Sequence, residues 1–200
     1  MVFNQMWEKV HSERDWGVYP NEALVRWVFK TFGQGRTKYF LDLGAGQGAN
    51  TWFLAREGFE VAAVDGSATA IEKARIRLSK EKLTCVTVAC DLKEIPWADN
   101  DFDVAIDIVS SAHNEPHDML CIVQEVARVL KPGGRFFMVT PTMNCSPEPI
   151  LQYSPITFLA EGNLRLLLES WFDIVELTKT SYQPTSECTV EHWVVSAIKR

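Results

Sequence analysis

Cysteine is scarce in this 200-residue chain: five residues, an odd number, with no C-x-x-C spacing. That pattern argues against a disulfide framework and against a zinc site. Cys85, Cys90, Cys121, Cys145 and Cys188 read as reduced structural thiols of a cytoplasmic protein. Long apolar runs are missing too. No stretch approaches the ~18 apolar residues of a membrane span, and the opening MVFNQMWEKVHSERDW mixes charges throughout, unlike a secretory signal or anchor. Basic charge is short: 20 Lys and Arg against 26 Asp and Glu leave a net charge of −6. Long-range attraction to nucleic acid or anionic lipid is therefore not expected. The seven tryptophans form no charged, aromatic-interleaved stripe of the kind that stacks on single strands. Repeats and low-complexity tracts are absent. With 46% hydrophobic and 23% charged residues, the composition is that of a globular chain, and the length predicts one domain at ~150 residues each.

The elements alternate. Residues 1–37 form a prologue, in which Leu24, Trp27, Val28 and Phe32 sit at helical spacing between an N-cap at Asn21 and a stop at Gly33. Beyond it, Tyr39 to Leu43 reads as a strand, Asn50 to Glu57 as a helix closed by Gly58, and Glu60 to Val64 as a second strand. Thr69-Ala70-Ile71-Glu72 has capping-box spacing, and Ala70, Ile71, Ala74 and Leu78 continue one helical face. Leu83 to Ala89 and Phe102 to Val109 are the third and fourth strands, the latter apolar enough for burial on both faces. A helix follows, with Pro116 in its first turn, Met119, Ile122, Val123, Val126 and Leu130 on one face, and Gly133-Gly134 as its end. Arg135 to Thr140 is a fifth strand. After a proline-bearing break from Thr142 to Pro155 come a helix at Leu164 to Trp171 and two strands, Asp173 to Tyr182 and Trp193 to Lys199, joined by a short polar link and so antiparallel. Strands alternating with helices imply right-handed crossovers and a parallel body.

The chemistry gathers at strand ends. Asp42-Leu43-Gly44-Ala45-Gly46-Gln47-Gly48 closes the first strand. Glycines at alternate positions let the backbone turn sharply and approach a ligand, and the helix start that follows presents N–H groups to an anion or carboxylate. Asp65 ends the second strand, where a carboxylate can take both hydroxyls of a ribose. Asp91 follows the third strand and Asp107 lies in the fourth. In an open α/β sheet, ligands bind at these carboxyl ends, where strand order reverses. The spacing is G-x-G-x-G, not the dinucleotide G-x-G-x-x-G, and an acid precedes it by two residues. An acid there opposes a pyrophosphate but suits a ligand carrying ammonium and sulfonium groups.

At this point the sequence resembles class I S-adenosylmethionine-dependent methyltransferases, and most of all the small bacterial-type enzymes that methylate metabolites. FLDLGAGQG, VAAVDGS, Asp91-Leu92, FDVAID and ARVLKPGG carry the resemblance, which spans about Lys38 to Lys199. It implies a doubly wound, Rossmann-like α/β sheet of seven strands, mostly parallel with an antiparallel last strand, in a domain over 38–200. It implies that Gly44, Ala45, Gly46 and Gly48 lie under the methionine part with Asp42 at its amino end. Asp65 would hold the ribose, Gly66 and Ser67 the adenine face, Asp91 and Leu92 the adenine edge, and Asp107 the sulfonium end. The cofactor would be S-adenosyl-L-methionine and the partner a small acceptor with an O or N nucleophile.

Catalytic candidates are histidines after the fourth strand: His113 as base, with His117 weaker. The Asn/Asp-Pro-Pro-aromatic motif of exocyclic-amine methyltransferases is missing, where Asp107-Ile108-Val109-Ser110 stands instead. Trp16 and Tyr19, flanking Gly17 and ahead of Pro20, could close over a sulfonium as a lid. The Thr142–Pro155 break, with Met143 and Tyr153, is a second candidate cover. A monomer or homodimer is expected. Two rivals remain: a non-enzymatic binding module of the same fold, and a nicotinamide-dependent oxidoreductase, which lacks its third glycine here.

Overall fold

The structure, a computed structural model, describes residues 5–33, 37–146 and 156–200. Seven strands form one sheet in the order β3-β2-β1-β4-β5-β7-β6. They are β1 (Tyr39–Leu43), β2 (Glu60–Asp65), β3 (Val86–Ala89), β4 (Phe102–Ile108), β5 (Leu130–Pro141), β6 (Phe172–Thr185) and β7 (Cys188–Lys199). β1 to β5 pair in parallel, and β7 inserts antiparallel between β5 and the edge strand β6. The order reverses between β1 and β4, whose carboxyl ends diverge into a crevice.

Among the described residues six α-helices serve this sheet: α1 (Gln5–Glu13), α2 (Glu22–Phe32), α3 (Ala49–Arg56), α4 (Ala68–Lys80), α5 (Pro116–Val129) and α6 (Glu161–Leu168). α2 and α3 pack on one face, where Leu24, Val28, Phe53 and Leu54 meet Phe40, Val104 and Phe137. α5 and α6 cover the other, where Met119, Val123, Leu164 and Leu168 meet Leu41, Phe136 and Val195. α2 begins and ends as its sequence dictates. The Asn21 side chain accepts from Leu24 N–H, and Gly33 N–H donates to Phe29 O. Its Leu24, Trp27 and Val28 are buried, and each such side chain contributes about 1.5–3 kcal/mol.

Four sequence readings shift. The prologue holds two helices, because α1 precedes α2. The N-cap of α4 is Ser67, whose hydroxyl accepts from Ala70 N–H at 3.0 Å, so Thr69 lies inside the helix and its hydroxyl is turned to Glu8. Gly133-Gly134 does not end α5. That helix stops at Val129 and β5 starts at once, loops out after Leu130, and resumes pairing at Arg135. A Cβ on Gly134 would stand 2.7 Å from Lys131 O and 3.2 Å from Asp103 O, so this glycine serves close backbone approach. The link between β6 and β7 is shorter than read, for the strands run on to Thr185 and from Cys188. Of the proline-bearing break, Thr142 bridges to Leu159 and Met143 is exposed, whereas Pro147, Pro149, Tyr153 and Pro155 fall outside the described residues. No helix among the described residues is long and apolar enough to cross a membrane.

Candidate active site

The glycine loop is built by contact with its neighbours. Gly44, Gly46 and Gly48 have φ of 59°, 53° and 77°, the left-handed region that disfavours other residues. A Cβ on Gly44 would lie 1.7 Å from Ser110 Oγ, and one on Gly48 2.9 Å from the Ala74 methyl. The turn after β1 therefore packs directly on the turn after β4 and on α4. Val109, between them, also has a positive φ of 61°. For a β-branched residue that is strain, and it turns the chain so that Ser110 reaches Gly44.

Asp65 knits the site together. Its two carboxylate oxygens accept from Gly46 N–H and Ser67 N–H, both at 2.8 Å, and each oxygen retains acceptor capacity for a ligand hydroxyl. Burial pushes its pKa up, opposed by these donors and by His11. Asp91 lines the same cavity with Leu92 and Gly66, its Oδ1 accepting from Lys93 N–H at 3.0 Å. Ala45, Gly44 and Gly46 line it as well.

Four predicted residues stand behind this wall. The carboxyl of Asp42 is buried on the α3 side, accepting from Thr51 Oγ1 at 2.6 Å, with Oδ1 lacking a hydrogen-bond partner. Burial raises its pKa to about 7. Asp107 Oδ1 accepts from Ser110 and Ser111 N–H at 2.9 and 3.2 Å, fixing the short 3-10 turn Ser111–His113. Its other oxygen has no partner, and burial pushes its pKa up. Ser67 is committed to α4 and donates to Glu8 at 2.6 Å. Gly48 caps α3.

Trp16 and Tyr19 line the cavity mouth, Tyr19 largely exposed. Trp7 and His11 of α1 were not visible in the sequence as site residues, and both line it too. Trp7 packs edge-on against His113, 4.7 Å between centroids, and against Trp16 at 6.1 Å. Gln47 Nε2 holds α1 in place through Arg14 O at 3.0 Å and His11 Nδ1 at 3.3 Å. Only the Trp7 to His11 spacing of one helical turn could have signalled that face. His113 lines the cavity, with burial pushing its pKa down to about 4. His117 is exposed on α5 and points away, 3.9 Å from Cys121 Sγ.

The cavity is continuous and measures about 1270 Å³, above the ~300–1,000 Å³ of a one-ligand pocket. Its first arm lies over the glycine loop and Asp65. The second runs along α2 and across β5, β7 and β6, past Trp27, Phe137, His192 and Val194. Carboxylates whose pKa values are raised by burial crowd the first arm and its backing. That chemistry fits an adenosyl ligand with cationic ammonium and sulfonium groups and fits a pyrophosphate poorly.

Comparison with known proteins agrees. Residues 40–134 match the family model described as a methyltransferase domain. A cypemycin N-terminal methyltransferase of a Streptomyces species is 33% identical over 126 residues, 60% of this chain and 48% of that protein. Indeed, the chain spans about half the length of the first curated relatives it matches. A structure described for conversion of a disulfide bond into a thioacetal group during echinomycin biosynthesis superposes with a TM-score of 0.82 at 20% identity, covering 98% of this chain and 91% of the other. Magnesium protoporphyrin IX methyltransferase of Synechocystis PCC 6803 with bound S-adenosylmethionine gives a TM-score of 0.71 at 14% identity, over 98% and 80% of the two chains. At such identities the superpositions speak for the fold. The family match, which covers just under half of the chain, the relatives and the sheet together support a class I S-adenosylmethionine-dependent methyltransferase domain over these residues.

Proposed function

We propose that this protein transfers a methyl group from S-adenosylmethionine to an O or N nucleophile of a small-molecule acceptor. One observation carries the reading: a single cavity of about 1270 Å³, larger than a one-ligand pocket, runs from the carboxylate-rich glycine loop to α2, β7 and β6. In this reading Gly44, Ala45 and Gly46 underlie the methionine part, Asp65 grips the ribose, and Gly66, Asp91 and Leu92 border the adenine. Asp42, Gly48, Ser67 and Asp107 act from behind by fixing the loop, the start of α4 and the turn that carries Ser110 and His113. Residues 5–20, α1 and the Trp16–Pro20 turn, act as the lid, with Trp7 and Trp16 offering ring faces to the cation. Five cysteines that form no disulfide support a reducing, cytoplasmic setting.

S-adenosylmethionine supplies a methyl group on a sulfonium that leaves as a neutral thioether. The protein then has to align the acceptor behind that methyl and keep water out, and alignment of this kind is worth several kcal/mol. His113 stands on the turn after β4, packed under Trp7, where it shapes the wall near the transferred group. Calorimetry tests the reading. S-adenosylmethionine and its demethylated product should both bind, and Asp65→Ala should weaken each by about 1–3 kcal/mol, the range for hydrogen bonds to a charged group. Absence of binding at millimolar concentrations sinks the proposal.

A further inference from the structure

The second arm of the cavity has a readable chemistry of its own. Its floor is apolar. Trp27 of α2 stacks on Phe137 of β5, with centroids 4.7 Å apart and planes 26° from parallel, and Val194 of β7 continues the surface. The Trp27 indole N–H is spent on Ser196 Oγ at 3.0 Å. The charges on this arm are balanced. Arg26 is held by Glu22, Lys30 by Glu176 at 2.9 Å, and Lys179 by Glu191 at 3.1 Å. Among the described residues of the arm, a carboxylate or phosphate acceptor meets no uncommitted cation, and an ammonium meets no uncommitted carboxylate. These pairs are largely solvent-exposed and individually weak; what an ionic acceptor loses is its hydration over the apolar floor, with no free partner there to replace it.

His192 supplies the one imidazole among the described residues of that arm; Tyr182 of β6 also lines it, but burial pushes its phenol pKa up, so it holds its proton near pH 7. It lies on β7, in register with Pro141 of β5 and Thr180 of β6, and lines the cavity beside Val194. Burial holds its pKa below the usual histidine range, so the ring is neutral near pH 7 and able to take a proton. His113 is placed differently. Trp7 packs edge-on against it, and with its pKa pushed to about 4 it is a weak proton acceptor.

We propose that the second arm takes a neutral hydroxyl compound with a flat apolar body, and that His192 is the catalytic residue accepting its proton. The proposal rests on the methyl-transfer reading above. As the acceptor oxygen forms its bond to the methyl carbon, the carbon–sulfur bond breaks with its electron pair going to sulfur. The hydroxyl proton passes to a ring nitrogen of His192, giving imidazolium and a neutral methyl ether, and the imidazolium then loses its proton to solvent.

Three probes share one body: naphthol, naphthoate and naphthylmethylammonium. With the demethylated cofactor bound, each is titrated while the indole N–H signal of Trp27, assigned through Trp27→Phe, is followed by NMR. Naphthol should shift that signal and saturate, and both ions should bind about tenfold more weakly or worse. With S-adenosylmethionine, naphthol should gain a methyl ether. His192→Gln should cut kcat by about 10²-fold or more while the Trp27 shift and KM stay near the wild-type values. An unmoved Trp27 signal, equal affinity for an ion, no ether from bound naphthol, or an unchanged kcat in His192→Gln each overturns it. Failure of the demethylated cofactor itself to bind would instead overturn the methyl-transfer reading.

Discussion

Gly44 and Ser110 compete for the same volume, since a methyl on the glycine would fall 1.7 Å from the serine hydroxyl and 2.4 Å from its Cβ. Gly44→Ala adds overpacking of about 1–3 kcal/mol to left-handed strain of about 1–2 kcal/mol. Ser110→Gly in the same chain should recover the first part and leave the second, as read by urea unfolding. Independent, additive effects of the two changes would mean that the loops do not touch. Asp42 makes a different test. Its folded pKa, near 7, lies above its ordinary value of 3.8. The fold therefore binds this proton more tightly than the unfolded chain does, and stability falls as pH rises from about 4 to about 7 and then levels off. The full fall is on the order of 4 kcal/mol. Asp42→Asn, which can still accept from Thr51, should flatten that stretch of the stability–pH curve. An unchanged slope would show that the carboxyl is ionised throughout.

At the scale of elements, α1 is attached in large part through polar contacts. Glu8 holds it to α4 through Ser67 and Thr69, and those hydroxyls keep the Glu8 carboxyl below its usual pKa. A lowered carboxylate stabilises above the unfolded value of 4.5, and that contribution is lost as pH falls. Glu8→Gln should therefore speed amide exchange across Gln5–Glu13 by about fivefold, the effect of roughly 1 kcal/mol, and should speed release of the demethylated cofactor to a similar degree. Faster exchange with unchanged release would remove α1 from any lid role. This helix also shows why the sequence was only partly legible. β1, β2 and β4 are short apolar runs buried on both faces, and α2 and α5 carry unbroken apolar stripes, so periodicity found them. α1 offers only Met6, Trp7 and Val10 among charges, and its inner face lines the ligand cavity rather than the core, where hydrophobic spacing is silent. Asp65 and the glycine loop were legible because local spacing fixes them. Trp7, His11, Gln47 and His192 were not, because they meet the loop only through tertiary packing. Gly133-Gly134 misled because a helix stop and a strand excursion demand the same residue.

On the scale of the whole molecule, two sets of titrating groups line or back one cavity. Burial raises Asp42, Asp65 and Asp107 and lowers His11, His113 and His192. Both shifts move the site toward neutrality, because burial penalises the charged form of each group. A ligand that brings positive charge changes that balance. It draws the raised carboxyls back to their ionised forms and leaves the already neutral imidazoles as they are, so binding releases protons. S-adenosylmethionine carries a sulfonium that its demethylated product lacks, and the difference between the two ligands isolates the effect of that charge. Calorimetry near pH 6.5 in buffers of different ionisation enthalpy should give a larger proton release for S-adenosylmethionine than for the product. The share of that difference carried by Asp42, whose pKa is near 7, should fade by about pH 8.5 and should be lost in Asp42→Asn. Equal release for the two ligands would mean that the sulfonium lies beyond the reach of these carboxylates, and that the acids behind the glycine loop serve its architecture rather than the charge of the methyl donor.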